Sequence, residues 1–113
     1  MERTLKKYLT DILFSIEEIE NYMSQRPRQF NIFLSDSMFR SALERKVMII
    51  GEAMNQALKI DSELPISNAR KIVNTRNYIV HAYDSLQPET IWNILINHVP
   101  ILKEEVKALL EEN

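Results

Sequence analysis

Apolar residues recur at spacings of three and four along most of the chain, with polar residues between them. Leu5, Tyr8, Leu9, Ile12, Leu13, Ile16, Ile19, Tyr22 and Met23 form the first stripe and predict a helix reaching about residue 25. "QRPRQFNIFLSD" breaks the spacing and reads as a connection whose apolar residues tuck against the helices. Asp36 or Ser35 then caps a second helix, lined by Phe39, Leu43, Val47, Ile50, Met54, Ala57 and Leu58. "KIDSELPIS" breaks the pattern again, and Ser67 is placed to cap a third helix carrying Ile72, Val73, Ile79 and Val80. Pro88 suits the first position of a fourth helix, where its missing N–H costs nothing. Ile91, Leu95, Val99, Leu102, Val106 and Leu109 give that helix its stripe, and Pro100 within it predicts a kink.

No segment alternates apolar and polar residues as a half-buried strand would. The pattern therefore predicts an all-α fold, a small antiparallel bundle of four to five helices forming one domain over residues 1–113. The only glycine, Gly51, falls mid-helix, where it costs about 1 kcal/mol relative to alanine. A close approach of a second helix explains it better than a nucleotide contact.

Composition narrows this picture. The 113 residues suffice for one core without metal or disulfide support. The absence of cysteine removes disulfides, thiolate nucleophiles and cysteine-based zinc sites together. "MERTLKKYLTDILFS" has no signal-peptide pattern, and no run approaches the roughly 20 apolar residues of a membrane span. A soluble, cytoplasmic protein is expected. The net charge of −2 is unevenly spread: residues 26 to 76 carry nine basic and five acidic groups, and residues 77 to 113 carry two and six. The middle of the chain is thus basic enough to offer a polyanion a positive patch, although an ordinary solvated face explains the same count.

The chemistry concentrates in "TRNYIVHAYD", which holds Arg76, His81 and Tyr83 within eight residues. On an ideal helix Arg76 and Tyr83 point within about 20° of each other, whereas His81 diverges from Arg76 by roughly 140°. For all three to meet, the helix must end or bend near His81, or a second subunit must supply the missing group. "HAYDSLQP" contains turn and helix-start residues that favour such an end. The residue types suit phosphate chemistry. Histidine titrates near neutrality and transfers protons, arginine forks onto phosphate and keeps its charge, and tyrosine donates a hydrogen bond, stacks a base or accepts a covalent group. By spacing alone the signal is weak, and a structural role for the trio is favoured.

The same residues carry a resemblance. "RNYIVHAY" has arginine, four residues, histidine, one residue and tyrosine, and resembles the signature of HepT-like toxins of the HEPN superfamily. "MIIGEA" resembles that family's second-helix motif, "LPISNARKIVNTRN" the approach to its catalytic helix, and "IWNILINHVPILKEEV" its closing helix, interior proline included. The likeness keeps the order of these landmarks over nearly the whole chain. It implies an all-helical homodimer that joins two arginine–histidine motifs in one cleft. It also implies a metal-independent endoribonuclease, needing no cofactor, that leaves 2′,3′-cyclic phosphate and 5′-hydroxyl ends. The implied partner, besides RNA, is an MntA-like minimal nucleotidyltransferase antitoxin of a type VII-like system, which transfers AMP from ATP. Under that resemblance Arg76 binds the scissile phosphate, His81 is the acid–base group, Asn77 supports His81 and Tyr83 is the AMPylation target. Gln87, where an aspartate cap is expected before the last helix, is the one visible departure.

Other residues fit plainer roles. Glu52 is either a polar member of the cleft or one half of an ion pair, with the ion pair favoured. His98 has no metal-ligand partner at useful spacing and reads as a partly buried helix residue; Trp92 and the five methionines read as packing. Arg40, Arg45, Lys46, Arg70 and Lys71 either guide RNA or solvate their helices. A second class of function also fits the residues: a non-catalytic nucleotide-binding or adaptor subunit of a nucleotidyltransferase complex, using Arg76 for phosphate. Such a protein would tolerate alanine at His81.

Overall fold

Glu2 opens the first helix: its carboxylate accepts the amides of Thr4 at 2.7 Å and Leu5 at 3.1 Å. From there α1 runs over Arg3–Met23 and buries Leu5, Leu9, Ile12, Ile16 and Ile19 along one face. The computed structural model describes residues 1–81 and 87–112, with 78–81 described by their backbone alone.

The connection after α1 tucks Phe33 against the other helices, as expected, and part of it is itself helical. Phe30–Ser35 forms a short helix, α2, held by burial of Phe33 rather than by length. Phe33 packs against Phe30, Phe39 and Trp92 with ring centroids 5.2 to 6.5 Å apart, so Trp92 is a packing residue as expected. Asp36 then caps α3, Ser37–Ile60, accepting the Phe39 amide at 3.1 Å and the Arg26 Nε at 3.1 Å. The Phe39 amide first, and Arg26 second, hold its carboxyl below the usual aspartate range.

The next helix, α4, covers Ala69–His81. Ser67 does not cap it, contrary to expectation. Its amide and hydroxyl both donate to Glu105, at 2.9 and 3.1 Å, and thereby pin the approach to α4 onto the closing helix. Asn68 takes the entry position instead, with φ of 61°, and its carbonyl accepts the Ile72 amide at 3.0 Å. Asparagine is among the few non-glycine residues that adopt this left-handed conformation readily.

The closing helix begins with α5, Pro88–Asn93, where Gln87 offers no side-chain cap and Pro88 sits in the first turn. It continues through a π turn at Ile94–His98 into α6, Val99–Glu111. The Val99 amide reaches back five residues to the Ile94 carbonyl. This wide turn is the form taken by the expected kink. In a regular α-helix the Pro100 ring would meet the carbonyl four residues earlier.

Among the described residues there are five helical runs and no strand, an all-α bundle as the apolar stripes predict. Here α1 packs along α3, α3 along α4, and α6 against α1. Leu9, Ile12, Ile16, Leu43, Met54, Leu102 and Val106 are almost wholly buried at the centre. No helix among the described residues is long and apolar enough to cross a membrane.

Candidate functional site

Helix α4 carries Arg76, Asn77 and the backbone of His81. Its inner face is fixed by Ile72 and Val73 in the core and by Thr75, 4% exposed, whose hydroxyl donates to the Lys71 carbonyl at 2.9 Å. Arg76 follows at the edge of this face, where α4 meets α3.

The residue opposite Arg76 on α3 is Gly51, which is itself buried. A β-carbon there would overlap Arg76 Cβ and would meet the Ile72 carbonyl oxygen at 3.0 Å. Only glycine allows this approach, so Gly51 serves helix contact as expected, and the contact lies at the candidate site itself. The next α3 residue, Glu52, places Oε2 2.6 Å from Arg76 Nη2. On the other side, Arg76 Nη1 donates to Asn77 Oδ1 at 2.8 Å. The arginine Nε is buried and has no hydrogen-bond partner among the described residues. The stem of Arg76 thus sits against glycine, with Nε buried and the two terminal nitrogens held by a carboxylate and an amide.

Of the expected residues, Arg76 and Asn77 are therefore adjacent and bonded. The expected support of His81 by Asn77 concerns a side chain outside the described residues. Tyr83 lies outside them altogether. Glu52 forms an interhelical ion pair, as expected. Its partner, Arg76, was not legible beforehand, since no motif links positions on different helices.

His98, in the π turn, packs toward α4 in a small cavity lined by Val47, Ile50, Ile72 and Thr75. Its Nδ1 is buried without a partner among the described residues, and Nε2 lies 3.4 Å from Asn93 Nδ2. Burial first, and the nearby Lys71 charge second, push the His98 imidazole below its ordinary range. It is a partly buried helix residue, as expected. No group of three or more histidine or acidic residues able to hold a metal occurs among the described residues.

The surrounding charges are partly committed. Lys46 pairs with Glu18 at 2.7 Å and Arg40 with Glu44 at 3.6 Å, while Arg45, Arg70 and Lys71 are exposed. A groove of about 400 Å³ lies between α1 and α3, lined by Tyr8, Phe14, Ile49, Ala53 and Glu52. Phe14 stands 62% exposed beside it.

The family model described as ribonuclease HepT-like matches residues 12–109 of the chain. A probable ribonuclease HepT of Thermococcus cleftensis is 32% identical over 113 residues, covering 96% of this chain and 98% of its own. A candidate RNase of Methanocaldococcus jannaschii is 30% identical over 110 residues, again covering 96% and 98%. One from Caldanaerobacter subterraneus subsp. tengcongensis is 27% identical over 118 residues, with 97% of each chain covered. No solved structure matches the chain.

Proposed function

Since the chain belongs to the HepT-like family, we propose that it is an endoribonuclease and the toxin of a type VII-like toxin–antitoxin pair in the cytoplasm. The observation that carries the reading furthest is the seat of Arg76, an arginine whose stem lies against Gly51 and whose terminal nitrogens are held by Glu52 and Asn77. In this reading Arg76 takes the scissile phosphate by forked hydrogen bonds and balances the charge that builds on it.

The step needs no metal. The RNA 2′-oxygen attacks the adjacent phosphorus as its proton leaves, and the bond from phosphorus to the 5′-oxygen breaks as that oxygen gains a proton. The products are a 2′,3′-cyclic phosphate and a 5′-hydroxyl. His81 is the proposed acid–base group for these proton transfers, and Asn77 supports the pair. A homodimer would join two such motifs in one cleft. The apolar groove between α1 and α3 and the exposed Phe14 supply surface that a second copy would bury. An MntA-like antitoxin would silence the cleft by transferring AMP to Tyr83, adding bulk and a negative phosphate that repels RNA.

The test is cleavage of total RNA and tRNA by purified protein in EDTA, comparing wild type with His81→Ala and reading the product ends. Cyclic phosphate ends from wild type alone are expected. Cleavage that persists in His81→Ala, or stops with EDTA, would overturn the assignment. RNA binding retained with no cleavage by an unmodified wild-type sample would favour the adaptor role.

A further inference from the structure

The ion pair between α3 and α4 points to a role for Glu52, one that rests on the reading of Arg76 as the phosphate-binding group. We infer that Glu52 is a positioning residue for Arg76: its carboxylate holds the guanidinium in the orientation that receives the RNA phosphate.

Glu52 and Arg76 stand on different helices, 2.6 Å apart at Oε2 and Nη2. The neighbouring residue, Gly51, lets α3 and α4 pack without a β-carbon between them beside this pair. The two terminal nitrogens are held from two directions, Nη2 by Glu52 across the helix contact and Nη1 by Asn77 from the same helix. Burial of Nε fixes which edge of the guanidinium faces inward. An arginine side chain has several rotatable bonds, and a site that must meet developing charge works best when that freedom is already removed.

Stability does not explain the pair. The side chains are 25% and 46% exposed, and ion pairs this open to solvent contribute little to folding. The chain contains a matched comparison in Lys103 and Glu20, 3.0 Å apart and 27% and 47% exposed. Both pairs join two helices with similar exposure, but only one of them holds the candidate phosphate-binding group. The carboxylate also opposes an incoming phosphate, so orientation is gained against some loss of attraction. This opposition gives the role a kinetic signature.

The experiment compares Glu52→Gln, Glu20→Gln and Arg76→Ala with wild type, using total tRNA as substrate in EDTA and recording kcat, KM and melting temperature. Glutamine keeps the shape of residue 52 and removes its charge. The expected result is a kcat lowered about tenfold or more in Glu52→Gln, because a misplacement of about 1 Å can cost roughly 100-fold. KM should stay level or fall as the opposing charge disappears, and the melting temperature should match that of Glu20→Gln, which keeps wild-type kcat. Nitrogen-detected NMR supplies a readout independent of cleavage: Arg76 Nη1 and Nη2 should give separate signals in wild type and merge in Glu52→Gln. A wild-type kcat in Glu52→Gln beside an inactive Arg76→Ala would overturn the role of Glu52 alone, as would a raised KM with kcat unchanged. Full activity in Arg76→Ala would remove the phosphate-binding reading and the positioning role with it.

Discussion

Gly51 lies directly against Arg76, so closely that the glycine has no room for a β-carbon without overlapping the arginine's own. Alanine at position 51 would gain about 1 kcal/mol of helix propensity. It would also overpack against a Cβ and a backbone oxygen, neither of which can swing aside, and overpacking costs about 1–3 kcal/mol. Gly51→Ala should therefore lower the urea midpoint of unfolding. It should lower RNA cleavage more than the stability loss explains, because separating α3 from α4 also parts Arg76 from Glu52. Full activity in a correctly folded variant would show that the seat is not needed.

Arg76→Ala and His81→Ala should fail in different ways. Loss of a group that transfers protons lowers rate by roughly 10²- to 10⁴-fold while leaving binding in place. Loss of an arginine on phosphate weakens RNA binding across sequences and lowers the slope of log affinity against log salt by about 1. Filter binding at several salt concentrations, beside cleavage rates, separates the two. An unchanged salt slope in Arg76→Ala would count against its phosphate contact.

His98 makes stability depend on pH. Its folded-state pKa is depressed by burial and by Lys71, while the unfolded chain keeps a value near 6.5. The unfolded state then binds more protons between the two values, so stability rises with pH through that window. The contribution is complete above pH of about 6.5 and is lost as pH falls toward the folded value. Urea midpoints recorded from pH 8 to 5 should fall on the acid side in wild type, and His98→Gln should flatten part of that fall. Parallel profiles for the two proteins would refute it.

Incubation with an MntA-like nucleotidyltransferase and ATP should add AMP to the chain in intact-mass analysis. Tyr83→Phe should remove the adduct while still cleaving RNA, since the tyrosine is the modified group and not the proton carrier. Adducts that survive the substitution would place the modification elsewhere.

The long helices were legible because each buries a stripe repeating at three and four residues, and Asp36 was legible as a cap because its partner lies three residues ahead. Helix α2 was not, since six residues make too little of a turn count to show a period, and Phe33 is stabilised by rings distant in sequence. Ser67 misled for a related reason: a serine before a helix normally caps it, but Glu105, 38 residues away, takes both its donors. At the candidate site the motif marked Arg76 and Asn77, and composition marked Gly51 as a close contact. Their meeting depends on how α3 and α4 cross, which no local pattern encodes.

The π turn at Ile94–His98 has a consequence for chain length. Such a turn spends one extra residue without advancing the faces that the helix presents on either side of it. Deleting one residue there would leave a regular α-helix with Ile91 and Val106 still facing the core, but would set the Pro100 ring against a carbonyl. A shorter chain of this kind is tolerable only if the proline is replaced as well. The deletion is harmful alone and tolerated together with the replacement.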